Sequence, residues 1–347
     1  MGKVKKEFNN YTVLDAFKVF FYLAITVGVV SLLLQLVLLI ALGGEGSNAF
    51  IETETFDIIS YMVTPTIFII FYFVYNKIHK VRNINALGDG QKISLLPISV
   101  AIVLSIIAIF LFTPFMNLID FFFSNGGFTP DDTIPLQEKM AGSWSYFFLG
   151  VFIFAFLPAI AEELIFRGII QKSLNTRFSG FATILLTTVM FVLMHGSLQQ
   201  TVYQFIMGIL LSYVSLVGGC ILYSFLLHFL NNVLVLIFSC FDIVSYLSAD
   251  ETFYYNFFSM LFPFLIFLLG VVLVAILFWV LKYLRNKNFF RFETKKAKKE
   301  RLAQVPEEKI GISQVWKNLK YNEKMYMVFG FVLLGIIWLI NTIDGFM

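Results

Sequence analysis

The chain is poor in the residues that soluble proteins display. Only 14% of its 347 residues are charged, 59% are hydrophobic, and the mean hydropathy is +0.84. A globular surface needs far more polar area than this, so a soluble domain of this length is excluded. Cysteine is nearly absent: Cys220 and Cys240 offer neither a disulfide framework nor a zinc-finger spacing. They sit near opposite ends of one predicted helix, about 30 Å apart, too far to bridge, and both read as plain apolar side chains. There are three histidines and no HExxH motif. No internal repeat is visible, which removes the usual signature of an inverted-repeat transporter. The opening MGKVKK lacks the Ser or Thr that a myristoylation signal carries at its sixth position. The net charge of +3 gives no reason to expect a nucleic-acid partner.

What is present is a succession of apolar runs, each near the roughly 20 residues that cross a bilayer as a helix. The runs predict an all-α, polytopic membrane helix bundle of about eight or nine spans. These are Val19–Leu42, Asp57–Tyr75, Ile93–Leu118, Trp144–Phe166, Phe181–His195, Val202–Val217, Cys220–Phe241, Phe257–Leu281 and Met325–Ile340. The first run exceeds a signal-peptide core and reads as an anchor, although Ala41-Leu42-Gly43 imitates a cleavage site. With this count, every Lys and Arg except Lys139 falls in segments on one side, and the acids of the loops fall mostly on the other. The positive-inside rule then orients the amino terminus to the cytosol and the carboxyl terminus outward. The basic segments are expected to meet anionic headgroups. Three parts are suggested: residues 1–143, three spans with an outer loop; 144–240, a middle block; and 241–347, the last helices with a basic cytosolic segment. Within that segment Lys295–Lys309 reads as solvated. Ile310–Tyr321 reads either as a flexible linker or as a helix on the membrane face with Trp316 and Leu319 toward lipid. His79, in NKIHKVRN, reads as part of a solvated loop. The 43 Phe read as lipid-facing and core filler, with Phe121-Phe122-Phe123 anchoring an interface.

Against this apolar background a few polar residues are conspicuous. Ionisable groups inside membrane helices are costly and mark function by default. AEELIFRG (161–168) follows seventeen uncharged residues, Trp144 to Ile160; FVLMHGS supplies His195, and LLHFLNN supplies His228 and Asn232. Glu163 and Arg167 are four apart with the acid first, the favourable order for a helical ion pair. Glu162 is turned about 100° from Glu163 and is free to face elsewhere. Glu162 and His195 are 33 residues apart, with the midpoint beside Gly180. An antiparallel pair of helices turning there brings them to one height. His228 and Asn232, also four apart, share a helix face. Pro158, four residues before Glu162, removes a helical hydrogen bond and favours a kink that can admit water.

A carboxylate and an imidazole at one height can hold and deprotonate a water. An imidazole N–H and an amide N–H on one face can stabilise an oxyanion. The same Glu162, His195 and His228 can instead ligate Zn²⁺ with water as fourth ligand. The three patterns in order, EExxxR in EELIFR, FxxxH in FVLMH and HxxxN in HFLNN, resemble the CPBP (CAAX protease and bacteriocin-processing, or Abi) family of intramembrane proteases. The resemblance spans Trp144 to Cys240. It implies a conical cavity lined by the fourth, fifth and seventh spans and open to the cytosolic side or laterally to lipid. It implies Glu162 as catalytic base, His195 assisting water activation, and His228 with Asn232 stabilising the oxyanion. Glu163 and Arg167 become structural or substrate-orienting, and the mechanism metal-free. The expected partners are the bilayer and a hydrophobic or lipidated peptide or membrane-protein substrate. The expected location is a bacterial plasma membrane, where prenylated CAAX substrates are not expected. Two other readings stand beside this one. The first is a non-catalytic binding or regulatory module, bacteriocin-immunity-like, using the same cavity. The second is a proton-coupled transporter.

Overall fold

The computed structural model describes residues 10–51, 53–81, 93–128, 137–241, 257–286 and 309–346. Among these the architecture is a helix bundle with no strand, only an isolated bridge between Phe178 and Ile310. Nine long helices follow in order: α1 Val13–Ile51, α2 Glu54–Ile78, α3 Leu95–Asn125, α4 Trp144–Asn175, α5 Gly180–His195, α6 Leu198–Gly218, α7 Ile221–Cys240, α8 Phe257–Asn286 and α9 Tyr321–Gly345. Eight of them are long and apolar enough to cross a membrane; α5, at 16 residues, is the exception. Its length gives about 24 Å, short of a full crossing. The nine predicted runs are all present. The fifth is a short helix that turns back inside the bundle, and the sixth begins at Leu198 rather than Val202. The Lys295–Lys309 tract, apart from Lys309, lies outside the described residues.

Local sequence explains where α5 and α6 start and stop. Ser179 caps α5, its Oγ accepting from Ala182 N at 3.3 Å. Gly196 ends α5 at φ 62°, a left-handed conformation that glycine takes without cost. Ser197 then caps α6, accepting from Gln200 N at 3.4 Å. The result is a tight helical hairpin with His195 at its tip. Its two arms meet closely at Gly208, where a Cβ would lie 2.8 Å from Thr188 Cγ2.

Two large apolar clusters divide the interior, and a smaller third gathers Met140, Phe147, Ala155, Leu236 and Cys240. One joins α1, α2, α4, α5 and α9 through residues such as Phe17, Phe166 and Phe191. The other joins α3, α6, α7 and α8 through Leu104, Leu211 and Leu227. The charged groups of α4 lie between them. Outward faces are apolar, with Leu32, Ile40 and Trp279 each more than 60% exposed, as suits contact with hydrocarbon chains.

The helix ends define two ends of the bundle. Lys18, Lys77, Lys172, Arg177, Arg285, Lys309 and Lys324 belong to one, hereafter the basic end. There Lys309 Nζ donates to Asn175 O at 2.7 Å, and Arg177 pairs with Glu323 at 2.5 Å. Arg285 donates to the carbonyls of Leu216 and Val217. Of the short segment before α9, Val315 and Leu319 are buried and Trp316 is 52% exposed. The expected pairing of Trp316 with Leu319 on a lipid face is therefore corrected: Leu319 turns into the core, because it anchors the segment against the bundle. His79, half-buried at the end of α2 beside exposed Lys80, stacks on Tyr75 with centroids 3.9 Å apart.

Candidate active site

The site is built on α4, whose hydrogen-bonding pattern is irregular on both sides of the acid pair. Turns of π-helix span Val151–Phe156 and Phe166–Ile170. Leu157 N–H reaches Phe152 O, five residues back. Such wide turns re-aim the side chains that follow. They also accommodate Pro158, which has no N–H to offer Phe154. At Pro158, where a kink was expected, helical residues run on without interruption and a π-turn lies immediately before it.

Glu162 and Glu163 face different surroundings. Glu163 points into the protein, where Oε1 accepts from Arg167 Nη1 at 2.9 Å and lies 3.2 Å from His228 Nδ1. The two side chains of the ion pair are 1% and 0% exposed. Arg167 Nη2 donates to Gly208 O at 3.4 Å, and its guanidinium lies 4.7 Å from the Phe191 ring centroid. One buried arginine therefore ties α4 to both arms of the hairpin. Glu162 turns instead to open space. Its Oε2 is 4.0 Å from His195 Nε2 and 3.8 Å from His228 Nε2. No group among the described residues hydrogen-bonds that oxygen. The shared height of Glu162 and His195, inferred from a 33-residue interval, is met.

The neighbours assign the imidazole protons. His195 Nδ1 lies 2.9 Å from Phe191 O, and a carbonyl only accepts, so Nδ1 carries hydrogen. In the neutral ring Nε2 is then a bare acceptor aimed at Glu162. His228 Nδ1 faces the Glu163 carboxylate, so it too carries hydrogen. Its Nε2 becomes a donor only in the doubly protonated ring. The separations of 3.8 and 4.0 Å are too long for direct hydrogen bonds. They suit a shared water, which at about 2.8 Å from each atom closes such a gap at an angle near 90°.

A zinc ion would need the three donor atoms at roughly 2.0–2.1 Å from one centre, hence about 3.4 Å apart in a tetrahedron. The Glu162–histidine distances are wider, and no His, Cys, Asp and Glu group among the described residues has metal-holding geometry.

These groups form the floor of a cavity of about 470 Å³. Pro158 and Phe154 of α4 and Asn232, Val235 and Leu236 of α7 form two walls. Asn232 therefore shares the cavity with His228, as its spacing predicts, whereas Asn231 is engaged by Tyr203 Oη at 2.7 Å. The remaining walls were not anticipated: Ser60, Tyr61, Thr64 and Pro65 of α2, and Gln200 and Gln204 of α6. The Gln200/Gln204 pair at i,i+4 carries the same kind of signal as His228/Asn232 and could have been read from it. On α4 and α7 the walls lie beyond Glu162 and His228 in the direction away from the basic end, while Gln200 and Gln204 lie on α6 as it runs back from the hairpin tip at His195. On the basic side of the acid pair Phe166, Arg167, Ile169 and Ile170 are 0–1% exposed, and beyond them Arg167, Gln171, Lys172 and Arg285 line a second cavity of about 200 Å³.

The last helix also reaches the site. Asn341 Nδ2 donates to Gly196 O at 2.8 Å, and Trp338 Nε1 donates to Thr201 Oγ1 at 2.9 Å. Both bonds hold the turn beside His195. Asn341, a polar residue in an apolar helix, was the available signal.

A family model described as type II CAAX prenyl endopeptidase Rce1-like matches residues 144–234. That family belongs to the CPBP group, so the resemblance stated from the motifs holds for this segment. It covers α4, α5, α6 and most of α7, and so contains every residue of the cavity floor. Comparison with curated proteins and with solved structures finds no match.

Proposed function

We propose that the protein is an intramembrane endopeptidase that hydrolyses a peptide bond in a hydrophobic or lipidated membrane segment. The observation that carries this reading is the Glu162 carboxylate facing two imidazoles, unbonded, at the floor of a cavity with mixed polar and apolar walls. The match of residues 144–234 to an endopeptidase family supports the same class of chemistry.

In this reading Glu162 is the general base and His195 Nε2 helps to hold the water. The proton passes from water to Glu162 as the water oxygen attacks the scissile carbonyl carbon. Negative charge gathers on the carbonyl oxygen, where the Asn232 amide and the Nε2–H of a protonated His228 donate to it. Collapse expels the amine, which takes the proton back from Glu162. Glu163 orients His228 and Arg167 balances Glu163. With His228 protonated, Glu162, Glu163, Arg167 and His228 sum to no net charge, the arrangement that costs least in an apolar bundle. Glu163 and Arg167 are in this account structural, being too buried to touch a substrate.

The test uses purified protein in micelles with a library of transmembrane-segment peptides, fragments being identified by mass spectrometry. Glu162→Ala should abolish cleavage while leaving the unfolding temperature within a few degrees. Undiminished cleavage would defeat the protease reading. That outcome, joined to retained binding of a peptide, would favour the non-catalytic module.

A further inference from the structure

We infer that the second cavity, at the basic end between α4, α6, α7 and α8, is a binding site for a phosphate group, carried by an anionic lipid headgroup or free in solution. The inference rests on the geometry and chemistry of that cavity and is independent of the protease reading.

Its walls are helix ends. Lys172 stands three residues before the end of α4, Arg285 one residue before the end of α8, and Cys220 and Ile221 open α7. Residues that close a spanning helix lie near the lipid phosphates, and basic clefts between such helices take headgroups. A volume of about 200 Å³ lies below the roughly 300–1,000 Å³ of sites for drug-sized ligands. It suits a small headgroup rather than a peptide.

The lining carries the cations Arg167, Lys172 and Arg285 and, among the described residues, no Asp or Glu. Glu163 balances Arg167 at 2.9 Å, so Lys172 and Arg285 give the cavity its positive sign. The carbonyl ends of α4 and α6 would repel an anion, but cations already cap them. Lys309 Nζ donates to Asn175 O at 2.7 Å, and Arg285 Nη1 donates to Leu216 O at 2.9 Å and to Val217 O. Those bonds also hold the Arg285 guanidinium in place before any ligand arrives. The amino-terminal end of α7 has the opposite polarity and favours an anion.

The floor gives an independent sign. Arg167 and Gln171 are 1% and 2% exposed. Arg167 commits Nη1 to Glu163 and Nη2 to Gly208 O, and Gln171 Nε2 donates to Ser212 O at 2.7 Å. Arg167 Nε and Gln171 Oε1 have no hydrogen-bond partner among the described residues. One is a donor and the other an acceptor, and buried polar groups are rarely left so. A phosphate with a hydroxyl answers both: its oxygens accept from a guanidinium, and its hydroxyl donates to an amide oxygen. Hydrogen phosphate combines those functions, and so does the phosphoglycerol headgroup of phosphatidylglycerol. Sulfate has acceptors alone, and phosphatidylcholine ends in a cation without a hydroxyl.

The experiment scans the unfolding temperature of the full chain in an uncharged detergent. The probes are phosphatidylglycerol, phosphatidylcholine, and inorganic phosphate or sulfate at low millimolar concentration and matched ionic strength. At about a hundred times its dissociation constant, a ligand of the folded state raises that temperature by about 5 °C for a chain of this size. The expected result is such a rise with phosphatidylglycerol, which identifies a lipid site, or with phosphate, which identifies a soluble-anion site. Phosphatidylcholine and sulfate should give none. Lys172→Ala should remove most of the rise, whereas Lys77→Ala, at the same end but outside the cavity, should keep it. Native mass spectrometry counts retained phosphatidylglycerol directly and reads any variant, Arg285→Gln included, that unfolds at a lower starting temperature. No rise with either phosphate-bearing probe, an equal rise with sulfate, or equal losses in Lys172→Ala and Lys77→Ala would overturn the inference. The scan requires no turnover, so this site and the protease reading fail separately.

Discussion

Replacing Glu162 and Glu163 separately by Gln gives a sharp contrast, because two adjacent isosteric changes meet opposite surroundings. Glu163 is 1% exposed, 2.9 Å from Arg167 and 3.2 Å from His228 Nδ1. Its neutralisation leaves a fully buried guanidinium without a counter-charge. Breaking a buried pair by removing one partner costs about 3–5 kcal/mol, whereas an exposed i,i+4 pair is worth about 0.3–0.5. A glutamine oxygen still accepts one hydrogen bond, so the lower figure, about 3 kcal/mol, applies to Glu163→Gln. At roughly 2 °C per kcal/mol for a chain of this size, the unfolding temperature in detergent should fall by about 6 °C. Glu162 has an 18% exposed side chain and an oxygen without a hydrogen-bond partner. Glu162→Gln should therefore shift stability by less than about 1 kcal/mol. Peptide cleavage should fall in both, by about 10²–10⁴ for Glu162→Gln, the contribution of a positioned general base. Differential scanning fluorimetry beside the cleavage assay reads both quantities. Equal unfolding temperatures for the two variants, or the greater loss for Glu162→Gln, would refute the division of roles between the neighbouring carboxylates.

Other outcomes follow from the same geometry. Gly208→Ala should destabilise by about 1–3 kcal/mol through overpacking, since its Cβ would meet Thr188 Cγ2 at 2.8 Å; Thr188→Ala in the same chain should restore most of the loss in a thermal scan. Asn341→Leu removes the bond to Gly196 O, and should lower kcat about tenfold, near 1.4 kcal/mol, with KM little changed. Asn341→Gln should recover part of that rate if the bond positions His195. Treatment with a strong chelator, followed by dialysis, should leave cleavage unchanged, with no stoichiometric zinc by elemental analysis. Loss of activity restored by Zn²⁺ would favour the ligand set Glu162, His195 and His228.

Much of the site was legible because helix periodicity is a local rule. The four-residue spacing of Glu163 and Arg167 and the turn between Glu162 and Glu163 need only one helix to be interpreted. The 33-residue interval needed only an antiparallel return, and the hairpin provides it. What was hidden depends on which helices touch. Nothing in the α2 sequence announces that Ser60 and Thr64 face Glu162. The apolar run of α9 likewise conceals its role in holding Gly196. The tight packing of Phe166, Ile169 and Ile170 beside the acids is likewise a fact of tertiary packing rather than pattern. The π-turns of α4 were also unreadable: the first sits just before Pro158, whose missing N–H it accommodates, and the second, Phe166–Ile170, carries no residue signature.

The central claim is that Glu162, His195 and His228 hold one water for attack on a peptide bond. An experimental density map at a resolution that resolves ordered solvent tests it most directly. The account predicts a single peak at about 2.6–3.2 Å from Glu162 Oε2, His195 Nε2 and His228 Nε2. A peak bonded to all three at about 2.0–2.1 Å would instead be a metal, and a dry cavity floor would contradict the account outright.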